Sequence, residues 1–89
     1  MERVTIYGRM SCGFCVRAKL LCEQKNLDHK FVDMIGEGIS KADLARTLGK
    51  PVMTVPQIVV GDAYIGGYTE FARFIEERSS GTLGRAAPN

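Results

Sequence analysis

Cys12 and Cys15 are separated by Gly13 and Phe14, and they follow a short apolar run, Val4-Thr5-Ile6-Tyr7. Cysteines at this spacing can close a small disulfide ring and reopen it. Beside a strand-then-helix pattern in a non-secreted chain, the pair is a signature of thiol–disulfide exchange. Two other chemistries use such a pair. A zinc site needs a second pair of ligands. Only Cys22 and His29 remain, and they form neither a second C-x-x-C nor a paired-histidine motif. No metal site is therefore expected. Two inert buried thiols fit poorly, because the first cysteine falls at an exposed loop-to-helix junction.

Of the two, Cys12 is the expected nucleophile. A helix N-terminus offers unpaired N–H groups and the positive end of the helix dipole, and both stabilise an anion. Residues 3–22 contain Arg3, Arg9, Arg17 and Lys19 and no acid. That positive stretch favours thiolate over thiol, with Arg9 and Arg17 expected to act on Cys12. Arg3 reads as a solvated surface charge. Cys15, one turn into the helix, should stay a thiol until Cys12 is oxidised and then act as the resolving cysteine. Cys22 lies two helical turns beyond Cys15, about 10.5 Å along the axis. That is too far for a disulfide, so Cys22 reads as a small buried hydrophobe. His29 reads as a strand-edge surface residue without a role.

These side chains need a scaffold, and the hydrophobic pattern supplies one. Residues 3–7 read as a strand ending at Gly8. Residues 13–26 read as a helix capped by Ser11 or Cys12, with Phe14, Cys15, Ala18, Leu21 and Cys22 on one arc. His29 to Asp33 is a second strand, giving a parallel, right-handed βαβ unit. Ser40 opens a second helix, with Asp43 in the position of a capping box and Leu44, Ala45 and Leu48 apolar. Gly49 and Pro51 end it. Gln57 to Val60 and Ala63 to Ile65 are strands joined by a Gly61-Asp62 hairpin turn. Thr69 is expected to cap a last helix whose Phe71, Phe74 and Ile75 face inward, with Ser79-Ser80-Gly81 as its stop. The order β-α-β-α-β-β-α predicts an α/β fold, a mixed four-stranded sheet with three helices spread over its two faces. Residues 1–79 form the expected domain, and residues 80–89 lack periodicity and read as a disordered tail.

Composition narrows the function. Eighty-nine residues make one small domain, and a 45% apolar content is ordinary for a globular chain. A net charge of +2 is too small for a nucleic-acid platform. No apolar run reaches membrane-spanning length, and no membrane association is expected. Met1-Glu2-Arg3 leads straight into a strand without the look of a signal peptide. Three cysteines are not a secreted disulfide framework, so a reducing cytoplasm is the expected home. A monomer is expected.

Three separated stretches resemble a glutaredoxin of the small bacterial dithiol type, which has a thioredoxin fold. They are residues 8–19 around Cys12-Gly13-Phe14-Cys15, residues 49–58 around Thr54-Val55-Pro56, and residues 65–71 around Gly66-Gly67-Tyr68-Thr69. In this order they are far more specific than a C-x-x-C alone. The resemblance implies a glutathione-dependent oxidoreductase acting on protein disulfides and protein–glutathione mixed disulfides, ribonucleotide reductase among them. It implies a cis bond between Val55 and Pro56, a choice sequence alone would not make since only about 5–6% of such bonds are cis. It implies a glutathione site at Arg9, Phe14, Lys50, Thr54, Val55, Pro56, Gly67, Thr69 and Glu70. Arg9, or second Lys50, would take the glycyl carboxylate. Thr69 and Glu70 would take the γ-glutamyl end, and Phe14 would pack on the backbone. Tyr68 would form a wall, and Met10 and Met53 edges of the groove. Relatives usually read C-P-Y-C where this chain has Gly13 and Phe14, and Asp where it has Glu70. The loss of proline bears on redox potential and metal binding, and opens one alternative. That alternative is a carrier of a [2Fe–2S] cluster held by Cys12 from two chains. The other is a thioredoxin-like reductant served by a flavin reductase instead of glutathione.

Overall fold

The structure is a computed structural model and describes residues 2–83. Its elements run β1 (Val4–Gly8), α1 (Gly13–Gln24), β2 (His29–Asp33), α2 (Lys41–Leu48), β3 (Gln57–Val60), β4 (Ala63–Gly66) and α3 (Tyr68–Leu83). The sheet order is β2-β1-β3-β4, with β1 and β2 parallel and the other two pairings antiparallel. This is the expected mixed sheet, and it is a thioredoxin fold.

Alternation along β1 divides the core. Val4 and Ile6 face one side, where they pack with Ala18 and Cys22 of α1, Ile58 and Val60 of β3, and Phe71 and Ile75 of α3. Tyr7 faces the other side, with Met34, Leu44 of α2, Val52 and Val55. Phe71, Ile6, Leu44 and Ile58 are fully enclosed. Each such side chain contributes on the order of 1.5–3 kcal/mol through area removed from water. α2 starts at the predicted capping box, with Ser40 Oγ accepting from the Asp43 N–H and the Asp43 carboxylate accepting from the Ser40 N–H, both at 3.0 Å. It ends at Gly49 in the left-handed conformation.

Two boundaries differ from expectation. α3 begins at Tyr68, so Gly67 and not Thr69 is the residue that precedes its first turn. The same helix passes through Ser79-Ser80-Gly81 to Leu83. Serine and glycine are weak helix formers but not breakers. Once a helix is nucleated, each added residue gains a hydrogen bond, and no proline interrupts here. Residues 80–83, expected in the tail, are thus helical, and residues 84–89 lie outside the described residues. Among the described residues no helix is long and apolar enough to cross a membrane.

The sheet brings two loops together. β1 and β3 pair with Tyr7 opposite Gln57. The loop leaving β1 after Gly8 and the loop entering β3 before Gln57 therefore start side by side. The first carries Cys12 and the second carries Val55. A bulge between Ile58 and Val59 then sets Gly66 opposite Ile58, which delivers the start of α3 to the same end of the sheet.

Candidate active site

Cys12 is the N-cap of α1. Its backbone is extended, and its sulfur accepts from the Cys15 N–H at 3.3 Å. The oxygen of a serine or aspartate commonly fills this role, so the helix is built to hold an acceptor there. No acid occupies the first turn of α1. The anion that the helix dipole favours is thus the thiolate itself. Burial opposes ionisation of Cys12 and is the largest single influence. Hydrogen bonds from the Cys15 side chain and from the Cys15 and Phe14 N–H groups, with the Arg9 charge, outweigh it and hold the Cys12 thiol below its ordinary pKa. On its open side the Cys12 sulfur lies 3.8 Å from the Val55 carbonyl oxygen.

Cys15 has the opposite character. It is 0% exposed, and burial, followed by its hydrogen bond to Cys12, pushes its thiol up to about 12. The space it occupies exists because residue 8 is glycine. A Cβ at Gly8 would lie 2.5 Å from Cys15 Sγ and 2.9 Å from Cys15 Cβ. In the sequence alone Gly8 reads only as a strand end. The signal was a residue without a side chain at the strand position facing a helix cysteine. Gly8→Ala is expected to lower stability by roughly 1–3 kcal/mol, since Cys15 is enclosed and cannot swing aside. Urea denaturation checks this, and an unchanged midpoint would contradict the packing described.

The positive stretch around Cys12 is smaller in space than in sequence. Arg3 pairs with Asp28 at 3.3 Å, and Lys19 with Glu23 at 2.6 Å. The Arg17 guanidinium sits 5.5 Å above the Phe14 ring, and of the four cations only Arg9 is among the influences on Cys12. The expectation that Arg17 joins it fails because five residues at 100° each turn Arg17 away from Cys12 around the helix.

Of the other predicted residues, Phe14, Val55, Pro56 and Gly67 meet at this end. The Val55–Pro56 bond is cis. A Cβ on Gly67 would lie 3.6 Å from the Pro56 carbonyl oxygen, so the start of α3 abuts the Val55–Pro56 turn. Tyr68 stacks on Phe14 with ring centroids 5.8 Å apart, tying α3 to α1.

A family model described as glutaredoxin matches residues 4–65. The chain is 46% identical over 79 residues to glutaredoxin of Vibrio cholerae, covering 83% of this chain and 91% of the relative. It is also 46% identical over 80 residues to glutaredoxin 1 of Escherichia coli, covering 84% and 94%. The solution structure of reduced Escherichia coli glutaredoxin superposes with a TM-score of 0.74, at 46% identity and the same coverage. The chain belongs to the glutaredoxin family. It is accordingly a thiol oxidoreductase of glutathione-dependent redox chemistry.

Within this glutaredoxin the remaining side chains take more specific places than the motifs foretold. Phe14 shares its arc of α1 with the buried Cys15, Ala18 and Cys22 but is itself 54% exposed, held at the surface by Tyr68 and Arg17. Gly66 has φ 127°, a conformation that a side chain would strain. Glu70 Oε1 accepts from the Gly67 N–H at 2.9 Å, which makes Glu70 the far half of a cap on α3. Thr69 lies in the first turn, where its N–H has no helical acceptor. The Lys50 ammonium rests 3.9 Å from the centroid of the Tyr64 ring. Thr54, like Met10 and Met53, is exposed. Cys22 is enclosed in the main core, and burial, then the Glu23 charge, pushes its thiol up to about 11. His29 is on the edge strand β2 with Nδ1 2.8 Å from the Leu27 carbonyl oxygen. Among the described residues no group of three or more His, Cys, Asp and Glu is placed to hold a metal ion.

These ionisation differences predict selective labelling. Cys12, its pKa lowered, keeps a reactive thiolate population at pH values where Cys15 and Cys22, their pKa values raised, are thiols. Brief iodoacetamide treatment near pH 7 should modify Cys12 alone, as read by peptide mass mapping. Arg9→Ala should move the alkylation midpoint to higher pH without restoring an ordinary thiol, because hydrogen bonds outrank Arg9 among the stabilising influences. Equal labelling of all three cysteines would contradict this assignment.

Proposed function

We propose that this chain reduces protein–glutathione mixed disulfides and protein disulfides, with Cys12 as nucleophile and Cys15 as resolving thiol. One observation carries the reading. A sulfur poised to ionise caps α1, and a second thiol held protonated and enclosed lies one turn away, hydrogen-bonded to it.

For a mixed disulfide, the Cys12 thiolate attacks the glutathionyl sulfur. That choice is required for the protein to leave reduced: the S–S bond breaks, its electron pair departs with the protein thiolate, and Cys12 carries glutathione. The thiolate of a second glutathione attacks the glutathionyl sulfur again, forming glutathione disulfide and restoring Cys12. For a protein disulfide, Cys12 forms a mixed disulfide with one protein sulfur and the other leaves as thiolate. Cys15 then loses its proton and attacks Cys12, releasing the second protein thiolate and leaving a Cys12–Cys15 disulfide. Two glutathiones reduce that disulfide. Oxidised ribonucleotide reductase is the protein substrate that the family resemblance recommends for trial.

The surroundings suit a small charged tripeptide. Arg9 Nε is buried and lacks a hydrogen-bond partner among the described residues. Its charge is the one, of the four cations near Cys12 in sequence, that acts on the Cys12 sulfur, so it lies beside the exchanging atom. Arg9 is therefore the proposed partner of the glycyl carboxylate. The Thr69 N–H and hydroxyl are proposed for the γ-glutamyl carboxylate, and the free oxygen of Glu70 for the ammonium. The main chain of Val55 would align the cysteinyl residue beside Cys12, between Thr54, Pro56 and Gly67, with the Phe14–Tyr68 stack as a wall. A cluster carrier is the weaker reading, since Cys15 lies within reach to close the disulfide that would remove Cys12 from a cluster.

A coupled assay tests the proposal. With NADPH, glutathione reductase, glutathione and a small mixed disulfide, NADPH consumption should depend on both glutathione and this protein. Turnover with a flavin thioredoxin reductase and none with glutathione would favour the thioredoxin-like alternative.

A further inference from the structure

Residues 49–56, between α2 and β3, form no strand or helix, yet three successive carbonyls in this segment are each taken by a side chain from a different element. The Met53 carbonyl accepts from Lys41 Nζ at 3.1 Å, the Thr54 carbonyl from Gln57 Nε2 at 2.7 Å, and the Val55 carbonyl faces Cys12 Sγ at 3.8 Å. The three bonds are unequal. Lys41 is exposed, so water competes for its bond. Cys12 makes its bond only as a thiol, through a long sulfur contact. Gln57 is 6% exposed and is the buried polar side chain among the described residues. Both ends of its amide are engaged, Nε2 by Thr54 and Oε1 by the Tyr64 hydroxyl. Tyr64 is in turn covered by Lys50.

Peptide planarity turns this into an orientation. Thr54 C=O and Val55 N–H belong to one trans peptide unit and point in opposite directions. Gln57 stands opposite Tyr7 in the sheet, and Tyr7 belongs to the face that α2 covers. Drawing the Thr54 carbonyl toward Gln57 therefore aims the Val55 N–H away from that face. We infer that Gln57, braced by Tyr64 and Lys50, is a positioning residue that presents the Val55 N–H to the backbone of a disulfide substrate. This rests on the proposed binding of the substrate beside Val55. It also gives Lys50 a supporting task on Tyr64 in place of the carboxylate contact that the resemblance implied.

The test uses Gln57→Glu, Gln57→Met and Tyr64→Phe in the full chain. Glutamate keeps the shape and the acceptor for Tyr64 but, ionised, cannot donate to Thr54. Methionine keeps approximate volume and loses both bonds. The apparent KM for a glutathionylated peptide should rise roughly tenfold in both Gln57 variants, the scale of one lost hydrogen bond, and less in Tyr64→Phe. kcat and the pH profile of Cys12 alkylation should stay near wild type, as they would not if the whole site had loosened. Backbone ¹⁵N relaxation reads the positioning without any substrate: order at the Thr54 and Val55 amides should fall in all three variants. That readout stands even if wild type fails to turn over glutathionylated peptide, which would count against the proposed function alone. Unchanged amide order would overturn the inference, and so would an unchanged KM or an alkylation profile that shifts along with KM. If the Gln57 variants do not fold, Tyr64→Phe, at the sheet edge, decides by the same measurements.

Discussion

Cys12→Ser is expected to eliminate turnover of every disulfide substrate. A serine hydroxyl can still cap α1, so the fold should survive, but it does not ionise near neutral pH and forms no S–S bond. Loss of a covalent nucleophile costs more than about a thousandfold in rate, which here means no activity above background. The coupled glutathione assay reads the outcome, with circular dichroism confirming that the helix remains. Retained turnover would move the chemistry to Cys15 or Cys22. Both are enclosed and titrate far above neutral pH, about 12 and about 11.

Cys15→Ser should separate the two reactions. The Cys12 sulfur keeps its bond from the backbone N–H of residue 15, and a serine hydroxyl can replace the thiol as a donor. Its thiolate should therefore persist, and release of glutathione from a mixed disulfide should continue near the wild-type rate. Reduction of a protein disulfide should fall by roughly 10²-fold, because an intramolecular thiol one turn away is replaced by glutathione arriving from solution. Parallel loss of both activities would mean that Cys15 supports the site mainly by packing under Gly8.

The legible parts of this chain were those written in local pattern. Alternation in β1, the Ser40–Asp43 capping box and the Gly61-Asp62 turn each depend on neighbours within a few positions. Sequence and structure agree on them, and on the topology they force. The C-x-x-C at a strand-to-helix junction was sufficient to single out Cys12, which stands at the N-cap of α1. What stayed hidden depends on geometry across elements. Thr69 is the stronger N-cap type, but the bulge in β4 and the approach of Gly67 to Pro56 start α3 two positions earlier. Four cations near Cys12 in sequence become one in space, because helix rotation and ion pairs commit Arg17, Arg3 and Lys19 elsewhere. Gly8 matters only through a cysteine on the next helix. Gln57 looked like an ordinary strand residue, and its two hydrogen bonds reach a loop and an edge strand that no local pattern connects to it. The end of α3 was misplaced because serine and glycine weaken a helix without ending one.

The most direct test of the account is where glutathione attaches. Cys15→Ser, treated with glutathione disulfide and examined by intact mass and peptide mapping, should carry one glutathione, on Cys12. Reduced glutathione should then release it. A label on Cys22, or the absence of any adduct while the protein is folded, would contradict the assignment of Cys12 as the sulfur that exchanges with glutathione.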